Sequence, residues 1–126
     1  MNPGAQSLLA GDGAVEFTAG DAATHRMLGL SKGSTSNSYE EIDFAVYLAG
    51  ATFYVWENNV NRGNFGSYAT TDRLKVTVSS GVVRYYRNGI LFYTSTQALA
   101  YPLLVDTSLY NTGANLKDAA LIGSWQ

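Results

Sequence analysis

The 126-residue chain has no cysteine, one histidine and few charges. Without cysteine there is no disulfide framework and no thiolate metal site. The lone His25 has no second histidine and no serine or cysteine in a recognisable catalytic motif beside it, which makes it a poor candidate for catalysis or metal binding. Charged residues are 14% of the chain and the net charge is −2. No lysine- or arginine-rich stripe is present to neutralise phosphates, so nucleic acid is excluded as the main partner. No apolar run approaches the length of a membrane span, and no membrane insertion is expected. The start, Met1-Asn2-Pro3-Gly4, reads as linker sequence and not as a leader.

What is present points to a packed β domain. Hydrophobic residues make up 46% of the chain, enough for a core. The length suits one domain over 1–126, with its core at about 12–123 and residues 1–10 as a linker or edge strand. The 13 glycines and 9 tyrosines suit short strands joined by tight turns. Apolar alternation predicts strands around 15–18, 26–30, 39–48, 52–57, 74–78, 82–87, 101–109 and 116–122, with turns through 58–66. Only 96–100 has any helical flavour. With the aromatic strand that follows Asn88-Gly89, about nine strands at this spacing predict an all-β fold, an antiparallel β-sandwich.

Asn88-Gly89 is the strongest local signal. It supplies the positive φ angles of a type I′ turn between two aromatic strands. A two-residue loop sets Arg87 opposite Ile90, Tyr86 opposite Leu91, Tyr85 opposite Phe92 and Arg84 opposite Tyr93. Val83, Tyr85, Ile90 and Phe92 then form a core face, and Arg84, Tyr86, Leu91 and Tyr93 the outer one. Arg87 projects from the core side at the strand end, where its head reaches water.

In 39–48, Ile42, Phe44, Val46 and Leu48 share one face, and Glu41, Asp43, Ala45 and Tyr47 the other. The run Glu41-Ile42-Asp43-Phe44-Ala45 resembles the catalytic strand of laminarinase- and lichenase-type glycoside hydrolases, which carries Glu-x-Asp-x-Glu. Retaining hydrolysis uses two carboxyls about 5 Å apart, and Ala45 stands where the resemblance places the acid. The same alternation also fits an ordinary half-buried strand.

Three further segments extend the resemblance: 72–78, the run 81–89 ending in Asn88-Gly89, and 101–105 with Tyr101-Pro102. In this order they resemble the concanavalin A-like jelly roll, which includes SPRY domains, laminin G-like modules and legume lectins. Arg26-Met27-Leu28-Gly29-Leu30-Ser31 is similar to a strand of the same superfamily. The resemblance covers 15–122 and implies a jelly-roll sandwich. Its members span sugar binding, peptide binding and catalysis, so function rests on the site itself.

Sugars offer apolar C–H faces and hydroxyl rims, which flat aromatic rings and polar side chains meet. If Phe53 and Val55 point inward, Tyr54 and Trp56 point outward. The opposite phase fits as well, because both faces are apolar. Pairing of consecutive strands would bring Tyr47 and Asp43 to Tyr54 and Trp56. Arg84 and Tyr86 form a second patch, on the same sheet or the other. Asp12, between Gly11 and Gly13, is either a calcium ligand in a loop, giving a structural calcium site, or a plain turn residue. Asp106 and Asp118 carry no further signal, and Trp125 is a core plug or part of a linker.

The expectation is a non-catalytic carbohydrate-binding module, secreted and tethered to a larger bacterial enzyme or surface protein. Its partner is a polysaccharide of β-glucan type, stacked on Trp56, Tyr54 and Tyr47. Asp43, Glu41 and Arg84 hold hydroxyls, and Tyr86 adds to the second patch. One rival is a structural or adhesive domain of a surface or phage-fibre protein. The other is a small glycoside hydrolase-like enzyme using Glu41 with an acid from elsewhere.

Overall fold

A computed structural model describes residues 7–31, 43–99, 101–109 and 117–125. Among the described residues ten strands run in chain order: β1 Ser7–Thr18, β2 His25–Ser31, β3 Phe44–Ala49, β4 Thr52–Glu57, β5 Val60–Ser67, β6 Arg73–Ser79, β7 Val82–Arg87, β8 Ile90–Thr94, β9 Leu103–Leu109 and β10 Lys117–Trp125. The hydrogen-bonded order β5-β4-β3-β2-β9-β1-β6-β7-β8, with β10 on β1, folds into two antiparallel sheets. The front sheet is β5-β4-β3-β2-β9 and the back sheet β10-β1-β6-β7-β8. β1 joins them: Ser7 and Leu8 pair with β9, whereas 13–18 lie between β6 and β10. The register shift between Leu8 and Gly13, with Gly11 at φ +77°, lets the strand change sheets.

Strict alternation builds the core. Leu74, Val76 and Val78 of β6 are buried and face Leu28, Val46 and Val55 from the front sheet in one apolar cluster. Phe53 and Val55 are the inward residues of β4, which settles the phase that the sequence left open. The Asn88-Gly89 turn forms, with φ +52° and +80°. Its strands hold the expected register for Arg87 opposite Ile90 and Tyr86 opposite Leu91, then slip. A bulge pairs Tyr85 with Tyr93 and Arg84 with Thr94. Tyr93 therefore packs on the core with Phe92, and Ile90 is 72% exposed instead of joining it.

Residues 58–66, read as turns, are mostly strand β5. Asn61 and Asn64 side chains accept from the backbone N–H of Gly63 and Gly66, each at 2.8 Å, and two register shifts distort its pairing with β4. These features end regular pairing at a sheet edge. The weakly helical stretch at 96–99 carries no helix. Trp125 is the last residue of β10 and packs against the core.

Candidate functional site

The outer face of the front sheet carries a continuous aromatic surface. The β3–β4 hairpin sets Tyr47 opposite Tyr54 and Ala45 opposite Trp56. β2 adds Met27 opposite Tyr47 and Gly29 opposite Ala45. The Tyr47 ring centroid lies 5.9 Å from Tyr54 and 5.9 Å from Trp56, the latter edge-on at 78°. Met27 and Ala45 form the floor, at 2% and 0% exposure, while Tyr47, Tyr54 and Trp56 are half-buried. Gly29 is required here: a Cβ would come within 2.7 Å of the Ala45 Cα and run into the Phe44 carbonyl oxygen. Two facing positions without bulk allow β2 and β3 to lie this close.

At the end of this surface, His25 Nδ1 and the Tyr47 hydroxyl are hydrogen-bonded at 2.9 Å, with the rings edge-to-face at 6.0 Å. The pair joins an imidazole and a phenol, both able to take or give a proton. The sequence paired β3 with β4 but did not reveal that β2 runs along the other side of β3, so His25 stood alone there. The pairing of β2 with β3 crosses a long connection, and residue types carry little signal for it.

The expected site residues are thus partly gathered. Trp56, Tyr54 and Tyr47 come together. Asp43 sits directly before β3, its carbonyl accepting from the Asn58 N–H at 3.2 Å. Glu41 lies outside the described residues. Arg84 and Tyr86 belong to the other sheet and cannot join the cluster. They lie on the outer face of the back sheet, where Tyr86 is opposite Lys75, whose ammonium stands 5.0 Å from its ring centroid. Asp12 uses one carboxylate oxygen to accept from the Ser80 N–H at 3.0 Å. Among the described residues no group of three or more histidine, cysteine, aspartate or glutamate side chains could hold a metal ion.

Two polar clusters elsewhere are structural. Arg26, at 0% exposure, donates to the carbonyls of Ala19, Asp21 and Thr24 and to the Tyr68 hydroxyl. Glu57, equally buried, accepts from Tyr85 at 2.8 Å and Ser95 at 3.0 Å.

The two sheets, their order and their packing define a jelly-roll sandwich of concanavalin A-like fold. No protein-family model and no curated protein matches the sequence. Solved structures do. Alginate lyase AlgAT5 from polysaccharide lyase family 7 is similar at TM-score 0.60 and 14% identity over 93% of this chain. The TRIM65 PSpry domain follows at TM-score 0.63 and 17% identity over 93%. Sheep galectin-11 aligns at TM-score 0.51 and 13% identity over 97% of this chain and 98% of its own. The chain spans 56% of the lyase and 64% of the PSpry domain. The lyase among these neighbours overturns the expectation of a non-catalytic module: an enzyme shares this fold, so the fold does not exclude catalysis. Ala45 argues against one hydrolytic carboxyl pair and not against catalysis as such.

Proposed function

We propose that the domain engages a polysaccharide on the outer face of its front sheet. The observation that carries this reading is the contiguous Tyr47–Tyr54–Trp56 surface over the Met27–Ala45 floor. Clustered rings of this kind offer apolar area to the C–H faces of sugar units at low conformational cost. Strands β2, β3 and β4 put no lysine or arginine on that face. Arg26 points inward, and Arg62 of the neighbouring β5 turns toward Glu57 at 3.7 Å. A face without lysine or arginine among the described residues suits a neutral chain of β-glucan type better than a polyuronate such as alginate. On this reading the domain works outside the cell, where such polymers lie, beside a catalytic or surface partner in the same protein.

The test is affinity electrophoresis against barley β-glucan, laminarin, xyloglucan, xylan, mannan and alginate. Retardation by a neutral glucan is expected, insensitive to salt because the contacts are not ionic. Trp56→Ala should abolish it, a loss of about 2 kcal/mol for an aromatic anchor, with the fold intact. If no polymer retards the folded protein, the reading fails and a structural or protein-binding role takes its place.

The His25–Tyr47 bond favours a second reading, cleavage of the bound chain. The pair can hold and move a proton beside a chain lying on Tyr47. Product release abolished by both His25→Ala and Tyr47→Phe, with retardation kept by His25→Ala, would support it. Absence of product from every polymer that is bound would end it.

A further inference from the structure

On the open side of the sandwich, the edge strands β5 and β8 are not bonded to each other. Between them lies a cleft of about 310 Å³ lined by Phe53, Phe65, Phe92, Ile90, Arg87 and Asn88. Its volume is at the low end of the range for small-molecule sites, about 300–1,000 Å³. The three phenyl rings form one cluster, with centroids 5.0 Å apart for Phe65–Phe92 and 5.1 Å for Phe53–Phe92. They make an apolar wall in which Phe53 is the buried floor and Phe65 and Phe92 are half-buried.

Arg87 supplies the one charge of this lining, and it is fixed in place. Its Nε donates to Asp72 Oδ2 at 2.8 Å, and its guanidinium carbon lies 5.6 Å from the Phe53 ring centroid. Asp72 also accepts from the Asn88 amide at 3.0 Å with its other oxygen. Its carboxylate thus orients both polar residues of the cleft from behind. The two terminal nitrogens of Arg87 make no hydrogen bond among the described residues, and the side chain is 39% exposed. A planar donor pair held over a phenyl wall matches a carboxylate joined to an apolar body.

We infer that this cleft binds a small amphipathic carboxylate, with its apolar body against Phe53, Phe65 and Phe92 and its oxygens on the terminal nitrogens of Arg87. A free aryl-alkanoate and the C-terminal phenylalanine of a peptide share this chemistry. The site shares no residue with the aromatic face of the front sheet and stands independently of its reading.

The experiment is an NMR titration of the full chain with 3-phenylpropionate, its neutral counterpart 3-phenylpropanol, and a short peptide ending in phenylalanine, free or amidated. Saturable shifts confined to Ile90, Phe65 and Phe92 are expected, with the acid binding roughly tenfold more tightly than the alcohol. Arg87→Met should erase that preference. Ile90→Trp, a change on the exposed rim that leaves the core untouched, should block entry of either ligand. Saturation by the free peptide and not the amide supports a chain terminus as the source, and saturation by phenylpropionate alone supports a small molecule. No saturable shift with any carboxylate, or equal binding of acid and alcohol, overturns the inference.

Discussion

At the scale of single residues, stability rests on charges that the fold buries with their partners. Arg26 reaches the carbonyls of Ala19 at 2.8 Å, Asp21 at 2.6 Å and Thr24 at 2.9 Å, and the Tyr68 hydroxyl at 2.9 Å. Tyr68 in turn donates to the Gly50 carbonyl, so one guanidinium ties the 19–24 turn to the β3–β4 hairpin. Arg26→Met keeps the volume and removes every donor. It is expected to cost about 3–5 kcal/mol, the range for breaking a buried charge network from one side, read as a lower urea midpoint. Tyr85 gives a second expectation. Burial, then the adjacent Glu57 carboxylate, holds its phenol well above the usual tyrosine range. A raised folded pKa means that the contribution is complete below the unfolded value of about 10 and is lost as pH rises beyond it. Denaturation midpoints should therefore fall in the alkaline range, and Tyr85→Phe should flatten that fall while lowering stability at neutral pH by about 1–3 kcal/mol.

At the scale of elements, Asp72 closes the β6–β7–β8 unit at one end. It accepts from the Ala69 N–H at 2.9 Å and holds both Arg87 and Asn88, while Asn88 accepts from the Arg73 N–H at 2.9 Å. Burial works to raise its pKa, but the Ala69 N–H, the Asn88 amide and Arg87 outweigh it and hold the carboxyl below its ordinary range. A lowered folded pKa contributes stability above the unfolded value of about 4, lost as pH falls through the folded one. Asp72→Ala should cost about 2 kcal/mol near neutrality, and the gap from the parent should close in acid, measured as urea midpoints across that range. The residues behind the family resemblance now have physical roles: Asp72 and Asn88 bond to each other, Arg26 fills the buried network, and Gly29 permits the close approach of β2 and β3. That is why they spoke of fold and not of function. The Asn88-Gly89 turn and the alternation of β6 were legible because both are local. β5 was not, since its glycines and exposed residues break the alternation. The β7–β8 slip was not either, because it is set by Phe92 and Tyr93 both packing on Phe65 and Tyr85. The outward phase of Trp56 was undecidable from two apolar faces. It follows from a contact distant in sequence, the inward Glu57 meeting Tyr85 and Ser95.

At the scale of the whole molecule, the two outer faces look away from each other across a core about 10 Å thick between sheets. Tyr47, Tyr54 and Trp56 lie on the front, and Arg84 and Tyr86 on the back. One sugar chain therefore cannot stack on Trp56 and bond Arg84 at once. The faces also differ in chemistry. The front one is aromatic and free of cations along β2, β3 and β4. The back one carries Arg73 paired to Glu16 at 2.8 Å, and Lys75 against Tyr86. A neutral glucan held on the front should be insensitive to Arg84→Ala and Tyr86→Ala, both half-exposed changes within about 0.5 kcal/mol of neutral for stability. Trp56→Ala and Tyr54→Ala should each release it. Comparing the four variants by affinity electrophoresis against one retarding polymer assigns the face. Release by the back-face pair with no effect of the front-face pair would move the site to the other sheet. The ligand would then be expected to be anionic and salt-sensitive, since the back face offers Lys75 and Arg84 in place of an uncharged platform.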